Sequence, residues 1–176
     1  MSHGLRTKRA LGIGLGALLA PVLLSGAATA DPGDHPGNGI APLPPVAPVE
    51  SVVLARGSAG EFDIDDEATG IHLQATGSTD VVMVKATVAP HSSTGWHRHA
   101  GPSMAVVASG TERLIEPRYH YGCTEETFTA GDAFVHPADV HNVVNDSAKP
   151  VVIYLTYFVP AGASPALIPV PAPRGC

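Results

Sequence analysis

Cationic side chains are scarce in this sequence, with ten Lys and Arg against sixteen Asp and Glu. Three of the ten, Arg6, Lys8 and Arg9, fall within the first thirty residues, where there is no Asp or Glu. Beyond Ala30 the chain therefore holds seven basic against sixteen acidic groups, a formal charge of −9. Such a surface excludes nucleic acid and anionic membranes as partners, because both are bound by clustered Lys and Arg. Helical periodicity is also missing. Outside the first thirty residues no segment repeats apolar residues at helical spacing over three turns. No internal repeat of solenoid type is present either. Cysteine is rare, and Cys123 and Cys176 are the only two. Nothing in the sequence marks Cys123 as an activated nucleophile.

The first thirty residues carry the features of a secretory signal peptide. A basic n-region precedes an apolar stretch from Leu11 to Leu24, and Ala28-Thr29-Ala30 offers small residues for cleavage after Ala30. Pro21 interrupts the apolar run, which is short of the roughly 20 residues a membrane span needs. No Cys follows it, which argues against a lipoprotein anchor. A secreted or extracytoplasmic protein with no stable membrane span after cleavage is expected. Export allows a disulfide between Cys123 and Cys176. Against that bridge, Cys176 is the last residue of a Pro-rich tail that would have to fold back.

Composition divides the rest. Residues 31–49 (DPGDHPGNGIAPLPPVAPV) are too poor in bulky groups to fold alone and read as a disordered Pro/Gly-rich leader. Residues 160–176 (PAGASPALIPVPAPRGC) have the same character and read as a Pro-rich tail. Between them, residues 50–159 consist of short β-branched segments: 51–56, 62–64, 71–74, 81–88, 96–99, 103–108, 112–116, 126–129, 133–136, 140–144 and 151–159. Gly, Pro, Asp or Ser punctuates most of the gaps, as in an all-β sandwich or barrel. Val82-Val84-Ala86-Val88 alternates cleanly with Val81-Met83-Lys85-Thr87. Residues 151–159 are apolar on both faces, which suits a central strand.

Chemistry concentrates in Gly95-Trp96-His97-Arg98-His99 and in Pro137-Ala138-Asp139-Val140-His141. Histidines two apart on a strand face the same way. A third histidine from a neighbouring strand would complete a three-nitrogen metal seat. The expected cofactor is a divalent transition metal (Fe, Zn, Mn, Ni or Cu): imidazole suits Zn, Fe, Cu and Ni, and three neutral imidazoles leave the ion's charge uncompensated. Such a site favours an anionic or chelating small-molecule ligand and leaves a position open for it.

These two stretches, Gly95 to Gly110 and Gly131 to Asn145, resemble the paired motifs of the cupin superfamily, specifically a group of secreted actinobacterial cupin-domain proteins. The resemblance covers about residues 80 to 158. It implies a double-stranded β-helix, the jelly-roll barrel, with His97, His99 and His141 as metal ligands and frequent homodimers through an edge strand. Two departures stand out. Ser103 occupies the place of the usual glutamate ligand. Asp139 replaces the usual glycine, in a turn one residue short before His141.

Ser103, Trp96 and His136 are further ligand-contacting candidates. His136 otherwise reads as an edge residue and Trp96 as packing. His91, His72 and His120 read as surface residues. Glu116, Glu125 and Glu126 read as solvated charges, with none placed as a general base. Tyr119-His120-Tyr121 forms a loop able to cover a barrel mouth. Asn145-Asp146-Ser147 fits a glycosylation sequon, but Asn145 reads as a turn residue. Two functions follow as expectations. One is a metal-dependent, dioxygenase-like or isomerase-like protein acting on a small carbonyl or carboxylate compound. The other is a metal-independent small-molecule or sugar-binding barrel without catalysis.

Overall fold

The structure, a computed structural model, describes residues 40–118 and 122–176. The expected signal peptide, the first part of the expected leader and Tyr119-His120-Tyr121 lie outside the described residues. The described chain is all β. Its strands are β1 (Glu50–Asp66), β2 (Ile71–Val88), β3 (Ser92–Ser93), β4 (His97–Arg98), β5 (Ser103–Ser109) and β6 (Thr111–Pro117). They continue with β7 (Cys123–Thr129), β8 (Ala133–His136), β9 (Asn142–Asn145), β10 (Val151–Pro160) and β11 (Ile168–Pro169).

Two sheets face each other. One has the order β1-β2-β10-β5-β8 and the other β3-β9-β6-β7, with β11 and β4 forming a small third pair. Strands distant in sequence lie side by side, β10 between β2 and β5 and β9 beside β6, which is the crossing pattern of a jelly roll. The inward rows of β2 and β10 account for the alternation on β2, whereas the outward row of β10 stays partly open, with Tyr154 exposed. Both strands are central in the larger sheet, and their inward rows pack against the facing sheet. Val88, Ala105, Val107, Leu114, Val143, Val151 and Ile153 form the core between the sheets. Burying each of the Val, Leu and Ile side chains contributes about 1.5–3 kcal/mol, and Ala105 less.

Gly110 shows how sequence sets a corner. It joins β5 to β6 at φ +86°, and a Cβ there would lie 2.9 Å from Val151 Cγ2. Any other residue would meet both backbone strain and a steric clash.

The punctuation near the start of the barrel has a different meaning from the one expected. Segments 51–56 and 62–64 are one strand, β1, and 71–74 and 81–88 are another, β2. They pair continuously from Glu50↔Thr87 to Asp66↔Ile71, with register shifts at Val53/Ala55, Ser58/Gly60 and Gly60/Phe62. The Gly and Ser residues that read as breaks are bulges in a running ladder. Conversely, 96–99 is strand only at His97–Arg98.

Both Pro-rich ends touch the barrel. Ser93 donates its N–H to Pro45 O at 2.9 Å and accepts from Ala47 N at 3.0 Å. The tail pairs Ile168 with Arg98 and Pro169 with His97, and Val170 N donates to Trp96 O at 2.9 Å. Residues 160–176 are thus held against the barrel at several points. Proline lacks only the donor, and its carbonyl still accepts from a sheet edge. Cys123 and Cys176 form a disulfide across 53 residues, with Cα atoms 5.5 Å apart, so the tail does fold back.

Candidate metal centre

His97, His99 and His141 come together at one end of the barrel, all buried. Their ligand nitrogens lie within 4.8 Å of one another. His97 and His141 exchange both backbone hydrogen bonds, each 2.9 Å, so their side chains leave the same side of a narrow pair. Their ring centroids are 4.2 Å apart. His99, two residues from His97, faces the same way by strand alternation, with its ring 5.0 Å from that of His97.

Each of the three rings is oriented through Nδ1. His97 Nδ1 lies 2.8 Å from Gly95 O, His141 Nδ1 3.0 Å from Asp139 O, and His99 Nδ1 3.3 Å from Pro165 O. A carbonyl accepts only, so each Nδ1 carries the proton and each Nε2 keeps its lone pair. Gly95 at φ +71° turns its carbonyl back onto the histidine two residues on. The Asp139 carbonyl performs the same task in the shortened turn, so the replaced glycine costs the site nothing at this point.

Burial also holds the rings neutral. It pushes all three imidazoles below the usual histidine range, most of all by desolvation. His99 falls to about 4, with the His97 ring adding to the effect. His141 is lowered by burial, then by His97 and His136, and His97 by burial, with the Gly95 hydrogen bond opposing. Neutral imidazoles with Nδ1 already tied to a carbonyl are the form a transition metal takes as ligands. The donor set fits a divalent ion.

A cavity of about 240 Å³ opens beside these nitrogens. Val84, Val88, Leu114, Phe134, Ile153 and Leu155 give it apolar walls, and Thr94, Ser103, His136 and Tyr157 supply its other polar groups. Ser103 stands in register between Tyr157 on β10 and His136 on β8, so the three form one row across the sheet. His136 is buried on the edge strand, its ring centroid 4.0 Å from that of His141. Its Nε2 lies 2.9 Å from Glu116 Oε1. Neither ring nitrogen of His136 has a well-aligned hydrogen bond. The His136 ring holds the Glu116 carboxyl below the usual range.

Ser103 and His136 therefore line the cavity. Trp96 does not. It packs with Ile115, Cys123 and Val144 in a cluster on the outer side of the smaller sheet, because it neighbours His97 and the chain alternates faces. Glu116, read as a solvated charge, instead reaches His136. Asn145 is fully buried, its amide donating to Val88 O, Ala89 O and Lys149 O, so the sequon is closed by folding. Tyr157, Thr94 and Pro165 were not singled out from sequence. Tyr157 OH lies 3.4 Å from His99 Nε2, and Thr94 Oγ1 3.3 Å from His97 Nδ1. The only signal for Tyr157 was its place on the inward row of the central strand.

Residues 84–157 match the family described as the cupin domain. No curated protein matches the chain by sequence. A cupin domain from Bordetella pertussis Tohama I is 24% identical over 56% of this chain and 93% of its own, with a TM-score of 0.39. The oxalate decarboxylase of Lactobacillus farciminis, in its formate complex, is 16% identical over 47% of this chain, with a TM-score of 0.42. The match spans 25% of that decarboxylase's length. A polyketide cyclase from Streptomyces resistomycificus is 20% identical over 54% of this chain and 63% of its own, at a TM-score of 0.42.

Proposed function

We propose that this chain, a member of the cupin superfamily through residues 84–157, binds a divalent transition metal through His97, His99 and His141. The observation that carries the reading is the convergence of three buried, neutral imidazoles, each with Nδ1 committed to a backbone carbonyl. We further propose that the protein works outside the cytoplasm on a small carbonyl or carboxylate compound. The n-region, apolar run and Ala30 cleavage site support export, and the Cys123–Cys176 disulfide is consistent with an oxidising compartment.

The cavity lies below the ~300–1,000 Å³ of drug-sized sites, which favours a compact ligand. When bound, the metal supplies a Lewis-acidic or redox-active centre with an open position. The chain's own groups then select the ligand. The apolar walls exclude water, and the Ser103 and Tyr157 hydroxyls offer hydrogen bonds along one side. Glu116 brings a carboxylate within 2.9 Å of the cavity-lining His136. Among the described residues no carboxylate joins the three-histidine cluster, so an anionic, chelating ligand balances the charge best. Oxidative, dioxygenase-like chemistry fits such a centre, with isomerisation behind it.

One observation favours the second reading, a barrel that binds a small molecule or sugar without metal or catalysis. Ser103 stands where the cupin resemblance places a carboxylate ligand, and it cannot neutralise an ion. Elemental analysis of exported protein separates the two readings. Near-stoichiometric transition metal, abolished in His97→Ala/His99→Ala, is expected. Less than about a tenth of an equivalent after reconstitution sinks the metal reading. A homodimer through an edge strand such as β1 belongs to the same proposal, and light scattering tests it.

A further inference from the structure

The C-terminal segment does more than cover the barrel. Ser164, Pro165, Ala166 and Leu167 line the same cavity as the three histidines. Pro165 supplies the carbonyl that faces His99 Nδ1 at 3.3 Å. His97 and His141 take their carbonyls from two residues earlier in their own turns. His99 alone takes its partner from 66 residues away in sequence.

This segment is pinned at both ends. At its root, Gly162 N donates to Asp80 Oδ2 at 3.0 Å, and Arg56 donates to Ala163 O at 2.9 Å. At its far end, Cys176 is bonded to Cys123. Between the pins it holds to the barrel by the two-residue β11–β4 pair and the Val170–Trp96 hydrogen bond. So few ladder bonds do not by themselves order a Pro-rich strand, because each fixed residue costs conformational entropy. The disulfide reduces that cost by restricting the free chain.

Building on the metal reading, we infer that residues 164–170 are a positioning strap for the histidine site. The Cys123–Cys176 bridge holds the strap so that the Pro165 carbonyl fixes the tautomer and direction of His99. The strap makes His99 the one ligand whose geometry depends on a distant covalent bond. It also closes one side of the cavity with small and apolar side chains, restricting the ligand's size.

The test uses the full mature chain carrying Cys123→Ser and Cys176→Ser together. Val170→Pro is a second variant, which deletes the N–H bonded to Trp96 O and leaves the disulfide intact. Nitrogen-15 NMR of the imidazoles reads each histidine without metal, and cobalt(II) titration against a chromophoric chelator reads affinity. In both variants His99 is expected to lose its single Nδ1–H form while His97 and His141 keep theirs. Cobalt affinity is expected to fall about tenfold or more, the usual effect of removing a partner that orients a ligand. An unchanged His99 signal in a folded variant overturns the strap, as does a change shared equally by all three rings. If wild type takes up no cobalt while His99 alone still responds, the strap stands and the metal reading fails.

Discussion

The two ends of β6 present the same problem and solve it differently. Near one end, Glu116 reaches His136 beside three buried histidines whose Nδ1 protons all have acceptors. Near the other, Glu112 is wholly buried and neither carboxylate oxygen has a partner. The two glutamates face the same way, about 13 Å apart along the strand. Burial alone drives Glu112 up to about 7, with no charged group contributing. At the histidine end burial yields three neutral imidazoles whose Nδ1 protons all have acceptors, with only the neighbouring His136 nitrogens left without an aligned partner. At the Glu112 end it yields a carboxyl protonated below neutrality and a charge without compensation above it. Desolvation becomes useful where the backbone supplies acceptors. Elsewhere it is a liability.

The sharpest way to break the comparison is to empty the histidine end. His97→Ala/His99→Ala is expected to abolish metal uptake and leave the β circular-dichroism spectrum intact, because the core between the sheets contains neither residue. Co-purified metal persisting at wild-type levels would sink the three-histidine assignment. The next effect belongs to the Glu112 end and appears as stability. A carboxyl raised in the folded state contributes stability that is fully present below the ordinary carboxylate range. That contribution is lost as pH rises toward about 7, and the curve is level beyond. The three depressed histidines add stability as pH rises through the same window, so the Glu112 share is read as the difference between wild type and Glu112→Gln in urea unfolding. From pH 4 to 8 the wild type is expected to lose about 2–3 kcal/mol relative to Glu112→Gln. A difference between the two proteins that does not change with pH would place the titrating group elsewhere.

Much of this architecture was legible in the sequence because alternation and turn chemistry are local. Val82, Val84, Ala86 and Val88 announce β2, and His97-x-His99 announces a shared face. What depends on cross-strand register was not legible. Nothing near Glu116 in sequence says that β8 brings His136 to it, and nothing near Tyr157 says that it stands opposite Ser103. Gly60 and Gly77 mislead for a related reason. A glycine that ends a strand and one that bulges within it look alike until the partner strand is in place. The tail hid its role because proline signals only the absence of a donor, while Pro165 contributes an acceptor.

Ser103→Glu moves a carboxylate from the costly condition to the useful one and so sharpens the contrast between the ends. The new group would enter the row between Tyr157 and His136, at the cavity that also holds the three ligand histidines. Without metal it should behave as Glu112 does and lower stability at pH 8. With metal it should add a charged ligand, and affinity is expected to rise about tenfold, equivalent to about 1.4 kcal/mol. Cobalt titration together with urea unfolding, each with and without metal, reads both effects on one variant. A destabilisation that metal does not relieve would mean that Ser103 faces the cavity but not the ion.

The smallest expected effect is that of Tyr157→Phe. The hydroxyl sits 3.4 Å from His99 Nε2, the nitrogen that would face a metal in the proposed centre, and burial raises its pKa. A contact that long contributes little to stability, so the change in unfolding free energy is expected to stay below about 1 kcal/mol. Metal affinity should hold or improve slightly, because the hydroxyl competes with the ion for the same lone pair. Binding of a small carboxylate should weaken, since a donor on the cavity wall is lost. If instead metal is lost in the phenylalanine variant, Tyr157 orients His99 more firmly than the Pro165 carbonyl does. The difference between the two ends would then rest on a side chain rather than on the backbone.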